Sequence, residues 1–308
     1  MKNNGISKRQ NESGNIELLA AQRELYSEAK RMTFIQFVIS VLFPITLPIL
    51  RNLCINSNRQ LAFIVLLSIL LVIFNIFYFE KTVKSKRLAA ARIQELFDTN
   101  VLKIKWNEEV CGSKIFAHSG VKLKAEQYKK KSVSLDNLMD WYSKHYSSVD
   151  ISAGRIMCQK VNVTWDNEVR EKFQKFLLLV LIASSVLVIS YAIVKNKTFT
   201  ETLISIIAPL FPIGLYIFKR YCENKETIVR IEKLNHRLEI VWESLMNKET
   251  KVIDLEISSR KLQDSIFKHR SNALMIWDWF YFKYRTNQEV DMGEVAQMVV
   301  SEYQNTKR

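Results

Sequence analysis

One stretch of the chain places amide, aromatic and charged side chains at helical spacing. If residues 158–170 form a helix, Asn162, Asp166 and Arg170 share one stripe, with Gln159 and Trp165 beside it. Aromatic rings stack on bases, amides bond to base edges and arginine binds phosphate, so this set suits a nucleotide ligand. The same residue types also suit the interface of a helix bundle with buried hydrogen bonds. Composition alone favours the bundle interface.

Two further segments repeat this mixture of side chains. Gln263, Asp264 and Arg270 precede an aromatic run at residues 277–281. Near the N-terminus, an amphipathic helix is predicted from Ile16, and it carries Gln22, Arg23 and Tyr26. Such a helix beside a membrane is more often a docking element than a binding site. We expect residues 1–15 to be polar and flexible.

Signatures of catalysis and metal binding are absent from the sequence. The four histidines lie in separate segments, and the four cysteines form no CxxC pair. No HExxH, GxSxG, GxGxxG or GxxxxGK[ST] motif occurs. We therefore expect no enzymatic activity, no metal and no cofactor.

The apolar segments that must position these residues are long enough to cross a bilayer. Residues 61–79 contain no charge, Pro or Gly, and as a helix they reach about 28 Å, close to the ~30 Å hydrocarbon core. Three more apolar runs occupy residues 32–50, 176–194 and 199–218. The sequence predicts an all-α integral membrane protein with four transmembrane helices in two hairpins and a mostly helical cytoplasmic region.

Charge gives the orientation of the two hairpins. The net charge is +14, and only four of the 45 Lys and Arg lie in the hairpin linkers, at 51, 59, 195 and 197. The positive-inside rule places both termini and the middle segment in the cytoplasm. The predicted domains are a leader at 1–31, hairpins at 32–79 and 176–218, a middle domain at 80–175 and a C-terminal region at 219–308.

All four prolines lie in the first and fourth predicted spans. Pro44, Pro48, Pro209 and Pro212 each remove a helical hydrogen bond and favour a kink. One interpretation is helix packing, and the other is a pair of helices that bend or open as a gate. Asn75 in the second span is a candidate for a wet path or for an interhelical hydrogen bond, and packing is favoured for it.

Three local predictions concern the cytoplasmic helices. A long helix is predicted to begin near Asp150 and to continue into the third span, because no Gly or Pro lies between Gly154 and the end of that span. Ser134 is expected to cap a short helix with the sequence LDNLMDWYSKHY. In the C-terminal region, an a/d seam suggests assembly of several copies, and we expect a homo-oligomer. The seam residues are Ile231, Leu234, Leu238, Val241 and Leu245.

Nearly the whole chain, including its two-plus-two layout, resembles the SMODS-associated four-transmembrane pore-forming effectors. The segments RQNESGNIELLAAQRELYSEAKR, ELFDTNVLKIKWNEEV, CQKVNVTWDNEVR and LQDSIFKHRSNALMIWDWFYFKYR carry the likeness. Trp277 departs from it, because a smaller residue, often Pro, is expected there. The matched motif residues are Gln10, Asn11, Gln22, Arg23, Tyr26, Trp106, Asn107, Gln159, Asn162, Trp165, Asp166, Arg170, Gln263, Asp264 and Arg270.

The resemblance implies a membrane effector of bacterial CBASS antiphage defence. Such a protein would respond to a cyclic di- or trinucleotide from a partner nucleotidyltransferase and permeabilise the inner membrane, causing abortive infection. The protein would lie in a lipid bilayer, and it would bind no polymeric nucleic acid. The alternative is a constitutive helical membrane scaffold or sensor subunit that binds a protein and no nucleotide. From chemistry, the candidate ligand residues are Arg23, Tyr26, Gln159, Asn162, Trp165, Arg170 and Arg270.

Overall fold

The described part of the chain is built from helices and turns. A computed structural model describes residues 3–39, 66, 70, 78–132, 134–196, 198–202, 207–247 and 252–307, and these contain no strand, which confirms the all-α class there. The helices are α1 (Ile6–Gln10), α2 (Ser13–Phe37), α3 (Glu80–Leu102), α4 (Glu108–Cys111), α5 (Lys114–His118), α6 (Val121–Lys131), α7 (Ile151–Val194), α8 (Phe199–Thr202), α9 (Ala208–Met246), α10 (Val252–Asn272) and α11 (Asp278–Lys307).

These helices fall into two units, and the boundaries between the units lie within α2, α3, α7 and α9. Unit 1 comprises Met1–Glu28, Lys86–Arg170 and Thr227–Arg308, and unit 2 comprises Ala29–Ser85 and Glu171–Glu226. The prediction of one helix that continues into the third span is confirmed, because α7 runs without a break from Ile151 to Val194.

The N-terminal leader is part of unit 1, so the prediction of a flexible leader is wrong for its described residues. Asn4 donates from Nδ2 to the carbonyl oxygens of Tyr146, at 2.7 Å, and Val149, at 3.0 Å. Ile6 at the start of α1 is completely buried. A side chain at Gly154 would begin 2.7 Å from Asn4 Nδ2, so the leader needs glycine there.

The segment after α6 differs from the predicted short helix. Ser134 does accept the N–H of Asp136 with its hydroxyl, but only a 3₁₀ turn, Asp136–Leu138, follows. Asp140 has a φ of 49°, which ends helical geometry, and its N–H is accepted by Asn11 Oδ1 at 2.9 Å. A second 3₁₀ segment, Lys144–Ser148, completes the connection to α7. The long-range bond to Asn11 therefore outweighs the local preference for one helix.

The predicted a/d seam lies inside the core of unit 1. Ile231, Leu234, Leu238 and Leu245 on α9 are buried, and Val241 packs against them. They share this core with residues of α2, α3, α7 and α10, including Leu19, Phe97, Ile156 and Leu262. The hypothesis that this seam joins separate copies is therefore wrong, since its apolar side chains are already covered within the chain.

Unit 2 contains the apolar part of α7. Among the described residues, one helix is long and apolar enough to cross a membrane, and it covers Ile151–Tyr191 with a mean hydropathy of 2.1 in its most apolar window. Only 11% of that window is buried, and Leu179, Leu187 and Ile193 are exposed. An apolar helix with uncovered side chains is typical of lipid contact.

The other predicted spans are described only in part or lie outside the described residues. Most of residues 32–50 and 61–79, including Pro44, Pro48 and Asn75, falls outside them. Helix α9 continues through Pro209 and Pro212, whose side chains are not described. Between α7 and α8, Asn196 adopts a φ of 48°, which interrupts the helix at the predicted linker of the second hairpin.

Candidate functional site

The candidate residue Gln159 lies in the interior of unit 1, between α7 and α10. Its Nε2 donates to the carbonyl oxygen of Ser259 at 2.9 Å and to Oε1 of Gln263 at 3.0 Å. Its Oε1 accepts the hydroxyl of Ser259 at 3.2 Å. All three residues are buried, so the Gln159 amide is satisfied within the protein. This arrangement matches the bundle-interface interpretation of the stripe.

Gln263 extends this contact to two carboxylates on α3. Its Nε2 lies 2.8 Å from Oε2 of Glu95 and 2.9 Å from Oδ2 of Asp98. Both carboxylates are completely enclosed. Arg260 pairs with Glu95 at 2.7 Å, and Arg270 pairs with Asp98. Two arginines of α10 therefore balance two acids of α3, as buried charges require.

Burial acts in opposite directions on the pKa values of the acids and of the arginines in these pairs. Burial raises the pKa of Glu95, although the charge of Arg260 acts in the other direction. Burial alone would lower the pKa of Arg270, but the charge of Asp98 holds that pKa above its usual range. The Arg270 guanidinium therefore stays charged inside the protein.

Tyr142 connects this network to Asn162 and to the leader. Its hydroxyl donates to Oδ1 of Asp98 at 2.7 Å and accepts from Nδ2 of Asn162 at 3.1 Å. The side-chain amide of Gln10 donates from Nε2 to the carbonyl oxygen of Tyr142 at 3.0 Å. Its Oε1 accepts the N–H of Tyr142 at 2.7 Å. We call this set the buried polar network: Gln10, Glu95, Asp98, Tyr142, Gln159, Asn162, Ser259, Arg260, Gln263 and Arg270.

A second cluster joins α7 to the end of α10. Asp166 accepts from Nε of Arg170 at 2.7 Å and from Nε2 of His269 at 2.6 Å. Arg170 also donates from Nη1 to the carbonyl oxygen of Leu274 at 2.9 Å. Burial by itself would raise the pKa of Asp166, but Arg170 and His269 outweigh it and hold that pKa well below its usual range. Asp166 therefore carries a full negative charge between two donors.

The candidates on α2 have different surroundings. The guanidinium of Arg23 lies 5.8 Å from the centroid of the Trp141 ring, and Arg23 is half-buried. Burial raises the pKa of Tyr26 to about 12, although the charges of Arg270 and Arg87 act in the opposite direction. Tyr26 is therefore a neutral hydroxyl within the field of those arginines.

The structure brings some predicted ligand residues together and leaves others apart. Gln159, Asn162 and Arg270 belong to the buried polar network, and Arg170 belongs to the neighbouring cluster through Asp166. Arg23 contacts Trp141 instead. The Trp165 side chain is not described. Gln159, Asn162, Arg170 and Arg270 are thus bonded to other side chains of unit 1, and Gln159 and Arg170 also bond to its backbone.

Several residues of these clusters were not singled out from the sequence. They are Glu95, Asp98, Tyr142, Ser259, Arg260 and His269. Glu95 and Asp98 flank Leu96 and Phe97 on the apolar stripe of α3, and acids in that position are a signal of a buried ion pair. Nothing in the sequence distinguishes Tyr142 or Arg260 from ordinary surface residues.

The remaining motif residues hold turns and helix ends. Asn107 caps α4 by accepting the N–H of Glu109, and its Nδ2 donates to Asp264 Oδ2 at 2.9 Å. Trp106 donates from Nε1 to the carbonyl of Gly112 at 2.9 Å. Asn11 donates to Asp140 Oδ1 at 2.8 Å. No group of three His, Cys, Asp or Glu suited to a metal ion occurs in the described ranges.

These features define a class of protein: a helical chain with a buried polar network in one unit and an uncovered apolar helix in the other. The family model of the SMODS-associating 4TM effector domain matches residues 4–299, so the chain belongs to this family of four-transmembrane effectors. The resemblance drawn from the motifs is thereby confirmed.

A curated relative extends the comparison. The chain is 28% identical over 295 residues to a Bacillus cereus (strain VD146) protein named "Probable CBASS effector molecule". The aligned residues make up 93% of this chain and 95% of the relative. No solved structure matches the chain significantly.

Proposed function

We propose that this protein is an effector of CBASS antiphage defence that permeabilises the bacterial inner membrane in response to a cyclic oligonucleotide. Its family and the name of its Bacillus cereus relative support the defence role. The observation that carries the mechanism is helix α7. This one helix holds Gln159, Asn162, Asp166 and Arg170 and continues into the apolar run that ends at Val194.

The proposed signal is a cyclic di- or trinucleotide made by a partner nucleotidyltransferase. Its phosphates would compete with Asp98 and Asp166 for Arg270 and Arg170, and Arg23 would add a third positive charge. Tyr26, Trp165, Gln159 and Asn162 are the candidates for contacts with the bases or sugars. Because the arginines already have partners, binding requires rearrangement of the network, and such rearrangement is how a ligand becomes a switch.

The energetic requirement is set by the population of the open state. A ligand that shifts the ratio of open to closed protein from 1:99 to 99:1 must bind the open arrangement more tightly than the closed one by about 5.5 kcal/mol. Several charge-assisted hydrogen bonds, at about 1.5–3 kcal/mol each, suffice for that difference. We further propose that the protein acts without catalysis and that both of its termini are cytoplasmic. Copies of the protein associate in the membrane. The spans that move on activation contain Pro44, Pro48, Asn75, Pro209 and Pro212.

A second function is favoured by one observation. The amide of Gln159 and the guanidinium of Arg170 are bonded inside the protein, as expected for a scaffold that needs no nucleotide. In that case the buried polar network specifies the packing of α3, α7 and α10, and the partner is a protein.

Leakage from liposomes separates the two functions. The full chain is reconstituted in phosphatidylethanolamine and phosphatidylglycerol vesicles and challenged with a panel of cyclic di- and trinucleotides. An activating ligand should release trapped dye, and at a hundred times its Kd it should stabilise the folded protein by about 2.7 kcal/mol. If no member of the panel causes leakage or stabilisation, the scaffold is the better account.

Arg23 offers a variant that leaves no buried charge without a partner. Arg23→Ala should weaken ligand binding and leakage together while the thermal midpoint without ligand stays the same. Arg237→Ala is the matched control, because Arg237 is an exposed arginine on α9. Equal leakage in both variants would remove Arg23 from the ligand site.

A further inference from the structure

Unit 1 exposes large apolar side chains at α5 and α6. The exposed fractions are 81% for Ile115, 77% for Phe116 and 58% for Leu123. The first two are adjacent on α5, and Leu123 follows in α6 after the turn at Gly120, whose φ is 78°. Single exposed apolar residues are ordinary, but neighbouring ones this exposed indicate an interaction surface.

The fold holds this surface in place from the inside. Ala117 and Ala125 face the core of unit 1. Just before α5, Arg92 donates from Nε to the carbonyl of Cys111 at 2.9 Å, and Trp106 donates to that of Gly112. The exposure of Ile115 and Phe116 is therefore a consequence of fixed packing.

The lysines of this region divide into two groups. Lys124 and Lys131 pair with Glu28 and Glu24 of α2, and Lys129 pairs with Glu17 at 3.1 Å. The second group, Lys114, Lys122 and Lys130, is exposed and forms no ion pair within the described part of the chain. Glu126 is the one acid among residues 113–132.

The two kinds of side chain occupy the same outer side of α6. At 100° per residue, Leu123 and Lys130 lie opposite the core-facing Val121 and Ala125. We call Lys114, Ile115, Phe116, Lys122, Leu123 and Lys130 the α5–α6 surface. It combines apolar side chains with an excess of positive charge, since its three lysines face the single carboxylate of Glu126.

We propose that the α5–α6 surface docks on an anionic lipid bilayer. Ile115, Phe116 and Leu123 enter the boundary between headgroups and acyl chains, while Lys114, Lys122 and Lys130 contact lipid phosphates. A chain of this membrane family always has a bilayer within reach, which gives lipid a high effective concentration. A second copy docked through the same surface would oppose lysine to lysine, so its charge disfavours that occupant.

Spin labelling of the full chain tests this placement. A nitroxide is attached through Phe116→Cys in nanodiscs of phosphatidylcholine with or without phosphatidylglycerol, and the signal of the unsubstituted protein is subtracted. In phosphatidylglycerol discs, the label should become more accessible to oxygen and less accessible to an aqueous nickel complex. A label at Glu302→Cys on the exposed face of α11 is the control and should remain accessible to nickel in both discs.

Charge reversal distinguishes lipid docking from other reasons for protection. The combined Lys114→Glu, Lys122→Glu and Lys130→Glu variant should return the Phe116→Cys label to aqueous accessibility. Because all three lysines are exposed, the thermal midpoint should not change. A label that faces water in phosphatidylglycerol discs would overturn the proposal. So would protection independent of lipid charge, or spin–spin broadening between labels, which would identify a second copy as the occupant.

Discussion

Arg170 of α7 donates a hydrogen bond to the carbonyl oxygen of Leu274, 2.9 Å away and two residues beyond the end of α10. The same guanidinium holds Asp166 one turn earlier in α7. Arg87 makes the comparable contact from α3, donating to the carbonyls of Ser271 and Ala273. Two arginines from different helices thus bind one carbonyl in the last turn of α10 and two carbonyls just beyond it, none of which has a partner within a helix.

Arg170→Ala should destabilise unit 1 even without ligand. The change removes the bonds to Leu274 and Asp166 and leaves the half-buried carboxylate of Asp166 with one donor fewer, which typically costs about 1.5–3 kcal/mol. Thermal unfolding in detergent measures the loss. Arg237→Ala on the exposed face of α9 is the control and should change the midpoint little. An unchanged midpoint for Arg170→Ala would show that this contact contributes little to folding.

His269 should make stability fall as the solution becomes acidic. Burial lowers the pKa of His269 below its usual 6.5, although the hydrogen bond to Asp166 acts in the other direction. Below pH 6.5 the unfolded chain binds a proton that the folded protein resists, so the free energy of unfolding decreases with falling pH. The slope for one proton is at most about 1.4 kcal/mol per pH unit.

His269→Gln tests that slope, because glutamine keeps a donor for Asp166 and does not titrate. Thermal midpoints between pH 7 and pH 5 should depend less on pH in this variant than in the natural protein. His236→Gln, an exposed change on α9, should leave the natural slope in place. Identical slopes in all three proteins would assign the acid sensitivity to other groups.

The sequence predicted features that depend on local pattern. The helical spacing of apolar residues from Ile16 indicated α2, and the lack of Gly or Pro between Gly154 and the end of the third apolar run indicated the length of α7. The partners of the polar residues depend on which helices meet. Periodicity gives the face of a helix and never its neighbour, so the pairing of Gln263 with Glu95 and Asp98 could not be predicted.

The same limit explains the incorrect expectation for the seam on α9. A row of apolar residues at a/d spacing shows that something covers it, whether another copy or the same chain. Leu238 is completely buried in the core of unit 1. The leader was likewise misjudged, because Asn4 and Gln10 are polar in sequence but bond to distant backbone in the fold.

Leu238→Glu should prevent folding of unit 1, with no specific effect on association. The change buries a carboxylate without a partner in an apolar core, a cost above about 4 kcal/mol. Ile240→Glu is the matched control, since Ile240 lies two residues along α9 and is 51% exposed. Yield of folded protein and circular dichroism in detergent provide the measurement. A folded Leu238→Glu protein that only changes its oligomer size would restore the seam as an interface between copies.

The predicted orientation is testable with cysteine labelling, and the structure determines which cysteine is informative. Cys111 and Cys158 are buried, and burial raises the pKa of the Cys111 thiol to about 12, so neither would react on either side of a membrane. Ser301→Cys introduces a thiol at an exposed position of α11. If the C-terminus is cytoplasmic and the linker at 51–60 faces outward, an impermeant maleimide should label Cys54 in intact cells and should label Ser301→Cys only after permeabilisation. Labelling of Ser301→Cys in intact cells would reverse the orientation, because only an outward C-terminus allows it.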